Sequence, residues 1–253
     1  MARNFYDTDR ALSEYLLFHY GMRKRLLPPG MSDCGALDFP VRCVTQCVDF
    51  ARLLPGGRAL DLGCAVGGAS FELARHCREV IAIDYSKQFV RAAKKLQRTG
   101  SLAFEIREEG DVTVSGSAVA PSRTVRRRIR FEAGDAMALR DGLGTFDVVL
   151  MANLIDRLGE PRKCLSQLPR LLNAGGQLII TSPYTWLLEY TPKRNWLGGF
   201  ERGRKPVKTF DTLRAILSPD FHLHRRLNLP FLLREHARKF QFSVAEATVW
   251  LRK

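Results

Sequence analysis

The sequence predicts an α/β domain on a mostly parallel sheet of seven strands with an antiparallel C-terminal edge. Three observations predict it. From residue 58 onward, short apolar runs alternate with amphipathic helical stretches. The run ALDLGCAVGGASFELA, residues 59 to 74, sets a glycine-rich turn between the first such strand and its helix. From about residue 220 two longer alternating runs follow each other with no helix between them, as an antiparallel pair requires.

The elements follow in order. DTDRALSEYLLFHY (7–20) places Leu12, Tyr15, Leu16 and His19 at helical spacing, with Asp7 or Thr8 as N-cap and Gly21 as stop. RKRLLPPGMSDCGALDFP reads as a loop with a Pro-Pro-Gly break, and a second helix is expected over 40–53, before Pro55-Gly56-Gly57. RALDLGC (58–64) and EVIAIDYS (79–86) are strands, each followed by a helix. LAFEIREEGDVTVSG is polar and alternating, so residues 100–128 are expected as an inserted hairpin. RIRFEAGDA and FDVVLMANLI resume the strands, PRKCLSQLPRLLN is expected to be helical, and GQLIITS returns to the sheet. In the tail, LREHARKFQF is expected to separate the two terminal strands. One domain of residues 1–253 results: a helical cap over 1–57, a core over 58–182, and a loop with terminal strands over 183–253.

Composition narrows the function. With 45% apolar residues in 253 the chain can bury a sizeable core, and no apolar run approaches the ~20 residues of a membrane span. The polar start MARNFYDTDR is not a secretory signal, so a cytoplasmic protein is expected. Six cysteines lie scattered without a CxxC, and no histidine completes a zinc set around Cys43 and Cys47, so no metal is expected. The net charge of +14 raises a nucleic-acid partner, but the arginines of RTVRRRIR, KPVK and HLHRRLNL are spread over several segments. The run 123–130 alternates like a strand, and solvated surface is the plainer reading.

The glycine-rich turn selects among nucleotides. It lacks the Gly-Lys-Ser/Thr of an NTP site. Its pattern Gly63-Cys64-Ala65-Val66-Gly67-Gly68 puts alanine where a dinucleotide site needs glycine to approach a pyrophosphate. Asp61, just before the turn, repels a pyrophosphate and suits a cation. S-adenosylmethionine (SAM) is therefore the expected cofactor. Asp84, followed by Tyr85 at the end of the next strand, is placed to accept both ribose hydroxyls. Asp135-Ala136 can take the adenine amino group and ring, and Asn153 ends the following strand at the mouth of the cleft.

These stations, in this order, resemble a class I SAM-dependent methyltransferase over residues 58–182, which implies a Rossmann-like fold. A narrower resemblance runs nearly end to end. FYDTDRALSEYLLFHYG, ALDFPVRCVTQCVD, YTPKRNWLGGF and PFLLREHARKFQFSVAEATVW look like the C-terminal methyltransferase domain of the ovothiol-biosynthesis enzyme. That resemblance implies methylation of the imidazole Nπ of 5-thiohistidine (4-mercaptohistidine), with an iron-dependent sulfoxide synthase upstream in the pathway. The chain differs in its more arginine-rich 123–130 segment, and the synthase part is not among these residues, as for either a free-standing methyltransferase or an excised domain.

Such a site must present Nπ rather than sulfur, through aromatic walls and partners for an ammonium and a carboxylate. PYTWLLEYTPKRNWLGGF offers Tyr184, Trp186, Tyr190 and Trp196, either over the substrate or as a small core beneath the loop. Arg42 is a carboxylate candidate or a surface arginine; Tyr6 and Tyr15 can lid the cofactor, though Tyr15 also lies on the apolar stripe. Glu235 can take the ammonium and His236 can orient the ring, or both are a solvated turn. Asn153, Tyr184 and His236 are the positioning candidates, with no general base assigned. His222 and His224 share one strand face and are expected to be exposed. The alternatives are an RNA-directed or other small-molecule methyltransferase, or a SAM-binding module without turnover.

Overall fold

The computed structural model describes residues 5–28 and 30–253. Residues 1–4 of the expected cap, and Pro29 of the Pro-Pro-Gly break, lie outside the described residues. Helix α1 (Asp9–Tyr20) starts at Thr8, whose hydroxyl accepts from the Ala11 N–H at 3.1 Å, and it stops at Gly21. The expected loop after it contains a short helix, α2 (Arg23–Leu26). The helix expected over 40–53 divides into α3 (Phe39–Thr45) and a 3-10 turn at Phe50–Arg52. The buried Gln177 amide explains the break. It accepts from the Asp49 N–H at 2.8 Å and donates to the Asp49 carbonyl at 2.9 Å, replacing bonds a continuous helix would make.

The alternating core follows as β1 (Arg58–Leu62), α4 (Gly68–His76), β2 (Glu79–Asp84) and α5 (Lys87–Thr99). The hairpin of β3 (Ser101–Glu109) and β4 (Val112–Val119) packs against α1, α5 and the first of the two terminal strands. The run 123–130 is not one strand: α6 (Arg123–Arg126) precedes β5 (Ile129–Ala133). Its arginines are occupied at helix ends. Arg126 donates to the Gln97 carbonyl in the last turn of α5, and Arg128 donates to the Ala74 carbonyl in the last turn of α4 at 3.1 Å. Cations there complement the helix dipole. Part of the basic excess is thus structural.

Next come β6 (Phe146–Ala152), α7 (Pro161–Leu165) and β7 (Leu172–Ser182). The helix expected across PRKCLSQLPRLLN ends early and passes into a 3-10 turn at Leu168–Leu171, because Pro169 has no N–H to continue the ladder. After the small pair β8 (Phe200–Arg202) and β9 (Lys205–Val207), helix α8 (Thr209–Leu217) leads into β10 (Phe221–His236) and β11 (Lys239–Arg252). The LREHARKFQF segment is almost wholly ladder: His236 pairs with Lys239, so only Ala237 and Arg238 turn. Glu235 and His236 therefore belong to β10 and do not lie in a loop between strands.

The seven strands take the order β10-β11-β7-β6-β1-β2-β5. β1, β2, β5, β6 and β7 are parallel, and β11 is antiparallel to both neighbours. The Rossmann-like expectation holds. Successive strand residues feed two cores, with Ala59, Val148 and Leu150 on one face and Leu60, Leu62, Val149 and Met151 on the other. Each fully buried Leu or Val contributes about 1.5–3 kcal/mol. From β1 the chain builds outward to β2 and β5, then returns to β6 on the other side, so a crevice opens where the ends of β1 and β6 diverge.

Candidate active site

A cavity of about 510 Å³ occupies that crevice, within the range of small-molecule sites. It brings together Asp61, Gly63, Cys64, Ala65, Asp84, Tyr85, Asp135, Ala136, Asn153 and Tyr190 from the sequence candidates. Tyr6 and Tyr15 line it as well.

The turn is shaped by backbone demands. Gly63 (φ 75°) and Gly67 (φ 90°) adopt left-handed conformations, and a Cβ on Gly67 would stand 2.7 Å from the Phe131 ring. Gly67 thus shapes the turn from behind and is not in the cavity wall. Ala65 adopts φ 47° despite its methyl. Its N–H donates to Asp84 Oδ2 at 2.8 Å, while Asp84 Oδ1 accepts from Ser86 N at 2.8 Å. Asp84 therefore ties the β1 turn to the end of β2. Burial raises its carboxyl to about 6 against the pull of those two N–H groups.

Asp61 is 1% exposed. Its Oδ2 accepts from Ser70 Oγ at 2.6 Å, and its Oδ1 has no hydrogen-bond partner among the described residues. Burial pushes this carboxyl up to about 7. A buried, half-satisfied carboxylate in a cavity wall is a group that a cationic ligand would complete. On β5's side, Asp135 Oδ1 accepts from Met137 N at 2.8 Å, which folds the GDA segment into a tight turn. Asn153 (φ 51°) is fixed at the end of β6 by Thr181, whose hydroxyl donates to Asn153 Oδ1 at 3.0 Å. The acids at β1, β2 and β5 fit an adenosyl sulfonium.

The other end of the cavity is aromatic. Phe18 stacks on Phe39 at 5.9 Å between ring centres, and Phe231 lies 4.9 Å from Phe39. Tyr15 and His19 also line the cavity, His19 between this wall and the glycine turn. His19 Nδ1 accepts from Gly68 N at 3.0 Å, so its proton resides on Nε2. Burial lowers its pKa to about 3, and the ring is neutral at physiological pH. Sequence reasoning placed His19 on a helical stripe and gave it no role. Phe18, Phe39, Phe231 and Arg157 were not singled out either, because an aromatic or arginine carries no local pattern that marks a cavity wall.

Other candidates lie elsewhere. Arg42 is consumed by carbonyls: its Nε donates to Leu37 O at 2.7 Å and its Nη2 to Pro230 O. Tyr184 donates to Glu246 Oε2 at 2.6 Å, on the β11 side. Trp196 stacks on Trp186 at 6.3 Å and donates to Thr191 O, forming a small core beneath the loop. Glu235 is held by Arg10, Lys239 and Gln241 in a separate cleft, and His236 Nδ1 accepts from Arg238 N within the hairpin turn. None of these five side chains lines the cavity. His224 is 3.5 Å from Asp49 on the outer strand, and His222 is exposed.

Comparison with known proteins agrees with this fold. A family model described as a methyltransferase domain matches residues 53–196. The chain is 26% identical over 133 residues to demethylmenaquinone methyltransferase of Renibacterium salmoninarum, covering 53% of this chain and 44% of the relative. It is 29% identical over 188 residues to 2-methyl-6-phytyl-1,4-hydroquinone methyltransferase of Synechocystis, covering 70% of this chain and 49% of the relative. The chain spans about half the length of these curated relatives. Among solved structures, a SAM-dependent methyltransferase of Methanosarcina mazei superposes with a TM-score of 0.53 at 16% identity, over 80% of this chain and 95% of that one, which shows the shared fold. No described helix is long and apolar enough to cross a membrane. The chain belongs to the methyltransferase-domain family, and S-adenosylmethionine is its cofactor.

Proposed function

We propose that this domain methylates the imidazole Nπ of 5-thiohistidine to give ovothiol, acting as one unit of cap, core, and substrate loop with terminal strands. When bound, SAM supplies an electrophilic methyl on a sulfonium. Asp84 accepts from the ribose hydroxyls, Asp135 and Ala136 hold the adenine with Tyr85 beside it, and Asp61 with the Gly63–Gly67 turn faces the cationic end. Asn153 stands at the junction between donor and acceptor.

The carrying observation is that the acid-lined end adjoins a wall of Phe18, Phe39 and Phe231 with one neutral imidazole, His19, of fixed tautomer. That wall suits a flat, uncharged heteroaromatic ring. A neutral imidazole offers a lone pair without prior deprotonation, so orientation supplies most of the acceleration. His19, uncharged and donating through Nε2, helps orient the ring without acting as a base. Arg42, Tyr184 and Trp196 act at a distance, Arg42 by holding Pro230 beside Phe231, while Glu235 and His236 take no part. The sequence blocks YTPKRNWLGGF and REHARKFQ support the same acceptor. The sulfoxide synthase reaction would supply this substrate.

The test is incubation with SAM and 5-thiohistidine, histidine, or a demethylated quinol of the kind the relatives' names specify. The expected result is a product one methyl heavier from 5-thiohistidine alone, with the methyl on Nπ by NMR. Methylation of the quinol or of RNA, with 5-thiohistidine untouched, overturns the reading.

A further inference from the structure

We propose that Arg157 is a specificity-determining residue, taking a carboxylate of the methyl acceptor while Glu189 at the cavity mouth takes its ammonium. This rests on the acceptor being an amino acid, as the proposed function has it. Among the described residues lining the cavity, Arg157 is the one Lys or Arg, in a lining that also holds Asp61, Asp84 and Asp135. Its fork is held in advance. Nη1 donates to the Asp156 carbonyl at 3.1 Å, to Asp156 Oδ2 at 2.9 Å and to Thr185 O at 3.0 Å. Nε donates to the Tyr6 hydroxyl at 3.1 Å, and the guanidinium lies 5.0 Å from the centre of the Tyr190 ring. No described residue accepts from Nη2. Burial works against the charge of Arg157, but Asp156 and Tyr6 outweigh it, so the cation persists.

Position gives it a different attachment from the donor acids. Arg157 follows β6 and is bonded to the segment after β7, whereas Asp61, Asp84 and Asp135 sit at the ends of β1, β2 and β5; Tyr6 links the two sides, accepting from Ser86 through its carbonyl and from Arg157 through its hydroxyl. Glu189 is exposed and adjoins Tyr190, on whose ring the guanidinium rests. The two charges thus frame one rim of the cavity with the signs an α-amino acid needs. Because Asp156 already neutralises Arg157, the attraction comes from directed N–H donors more than from net field. A single lysine ammonium could not keep the bonds that hold Nε and Nη1 and also present the free Nη2 donors.

The experiment titrates the protein loaded with S-adenosylhomocysteine, then measures turnover, using 5-thiohistidine and its decarboxylated counterpart. Wild type should prefer the carboxylate-bearing acceptor by roughly 30-fold or more in kcat/KM. Arg157→Gln should lose about that factor on 5-thiohistidine, mostly in KM, yet stay within about threefold on the decarboxylated acceptor. Arg157→Lys should restore only part of the loss, and SAM affinity should hold within about threefold in both. Equal losses on both acceptors would assign Arg157 to structure and overturn the proposal. So would a weakened SAM with unchanged acceptor KM, which would assign it to the donor's carboxylate. If Arg157→Gln misfolds because Asp156 is left unpaired, the Asp156→Asn/Arg157→Gln double variant carries the comparison. Should wild type methylate no thiohistidine, the acceptor reading fails separately. The same binding difference, measured with L-histidine against histamine, then decides the arginine: preference for L-histidine lost in Arg157→Gln supports it, and equal binding overturns it.

Discussion

The two ends of the cavity are built by different means. The proposed donor end is made of backbone turns and carboxylates at three neighbouring parallel strands, each acid also bonded within the protein: Asp61 to Ser70, Asp84 to Ala65 and Ser86, Asp135 to Met137. The proposed acceptor end is made of side chains from distant segments: Phe18 from α1, Phe39 from α3, Arg157 after β6 and Phe231 from β10, with His19 of α1 between it and the glycine turn. One end is thus specified by short motifs, and the other only by tertiary packing. A substitution at the first should change donor affinity; one at the second should change acceptor selection with the donor unmoved.

The largest expected break of that symmetry is Asp84→Ala. It removes the proposed ribose contact and releases the Ala65 and Ser86 N–H groups, so SAM should bind about 30-fold more weakly, or about 2 kcal/mol. Calorimetry checks it, and an unchanged affinity rejects the ribose role. The second is a pH effect. Asp61 and Asp84 titrate near 7 and near 6 in the folded protein, above the ordinary carboxylate range, because both are buried. Raised acid pKa values mean that the ligand-free fold favours the protonated groups. Their stabilising contribution is full below about pH 4 and is lost as pH rises through 6 and 7. A cationic donor favours the ionised form, so SAM affinity should rise about tenfold between pH 6 and 8, with the thermal shift on adding SAM growing in parallel. Asp61→Asn should flatten most of this rise; a profile as steep as wild type would remove Asp61 from the donor site.

A third, smaller effect sharpens the other end. Phe231→Leu keeps most of the buried volume at an expected stability cost of about 1 kcal/mol. It opens the wall against Phe39, so acceptor KM should rise several-fold while SAM affinity stays within about twofold. A coupled loss of both would mean that the two ends are one site. Glu235→Gln serves as the control, since Glu235 lies in the separate cleft with Arg10 and Lys239. Neither kinetic constant should move.

What was legible in the sequence follows the same division. The succession of strands and the glycine turn between the first strand and its helix could be read because short apolar runs and a glycine turn are local signals. The break at Asp49 could not, because its cause is Gln177, 128 residues away. The terminal hairpin was misplaced because LREHARKFQF is polar. Its polar residues pair across the ladder and with α1, as Glu235 does with Arg10, instead of facing water in a turn. Arg42 was a fair carboxylate candidate by position, yet the Leu37 and Pro230 carbonyls consume it. Its proposed counterpart Arg157 sits in NLIDRLG, where nothing local distinguishes it.

The smallest expected effect lies in the turn itself, at Ala65. An alanine at φ 47° pays for a conformation that glycine adopts freely, and the residue, 6% exposed, lines the cavity. Ala65→Gly relieves that strain in the folded state but also frees the unfolded chain, and the two effects oppose each other. With strain of about 1 kcal/mol or more and an entropic penalty somewhat below it, the net stabilisation should be a few tenths of a kcal/mol. Urea unfolding of the ligand-free protein measures it. SAM affinity should not improve, because the methyl restricts the clearance a pyrophosphate would need and leaves that of a sulfonium ligand intact. A marked gain in NAD binding by Ala65→Gly would confirm that this methyl helps exclude dinucleotides. A marked gain in SAM binding would show instead that the alanine crowds the donor, and the methyl could then no longer be assigned to selection between the two cofactors.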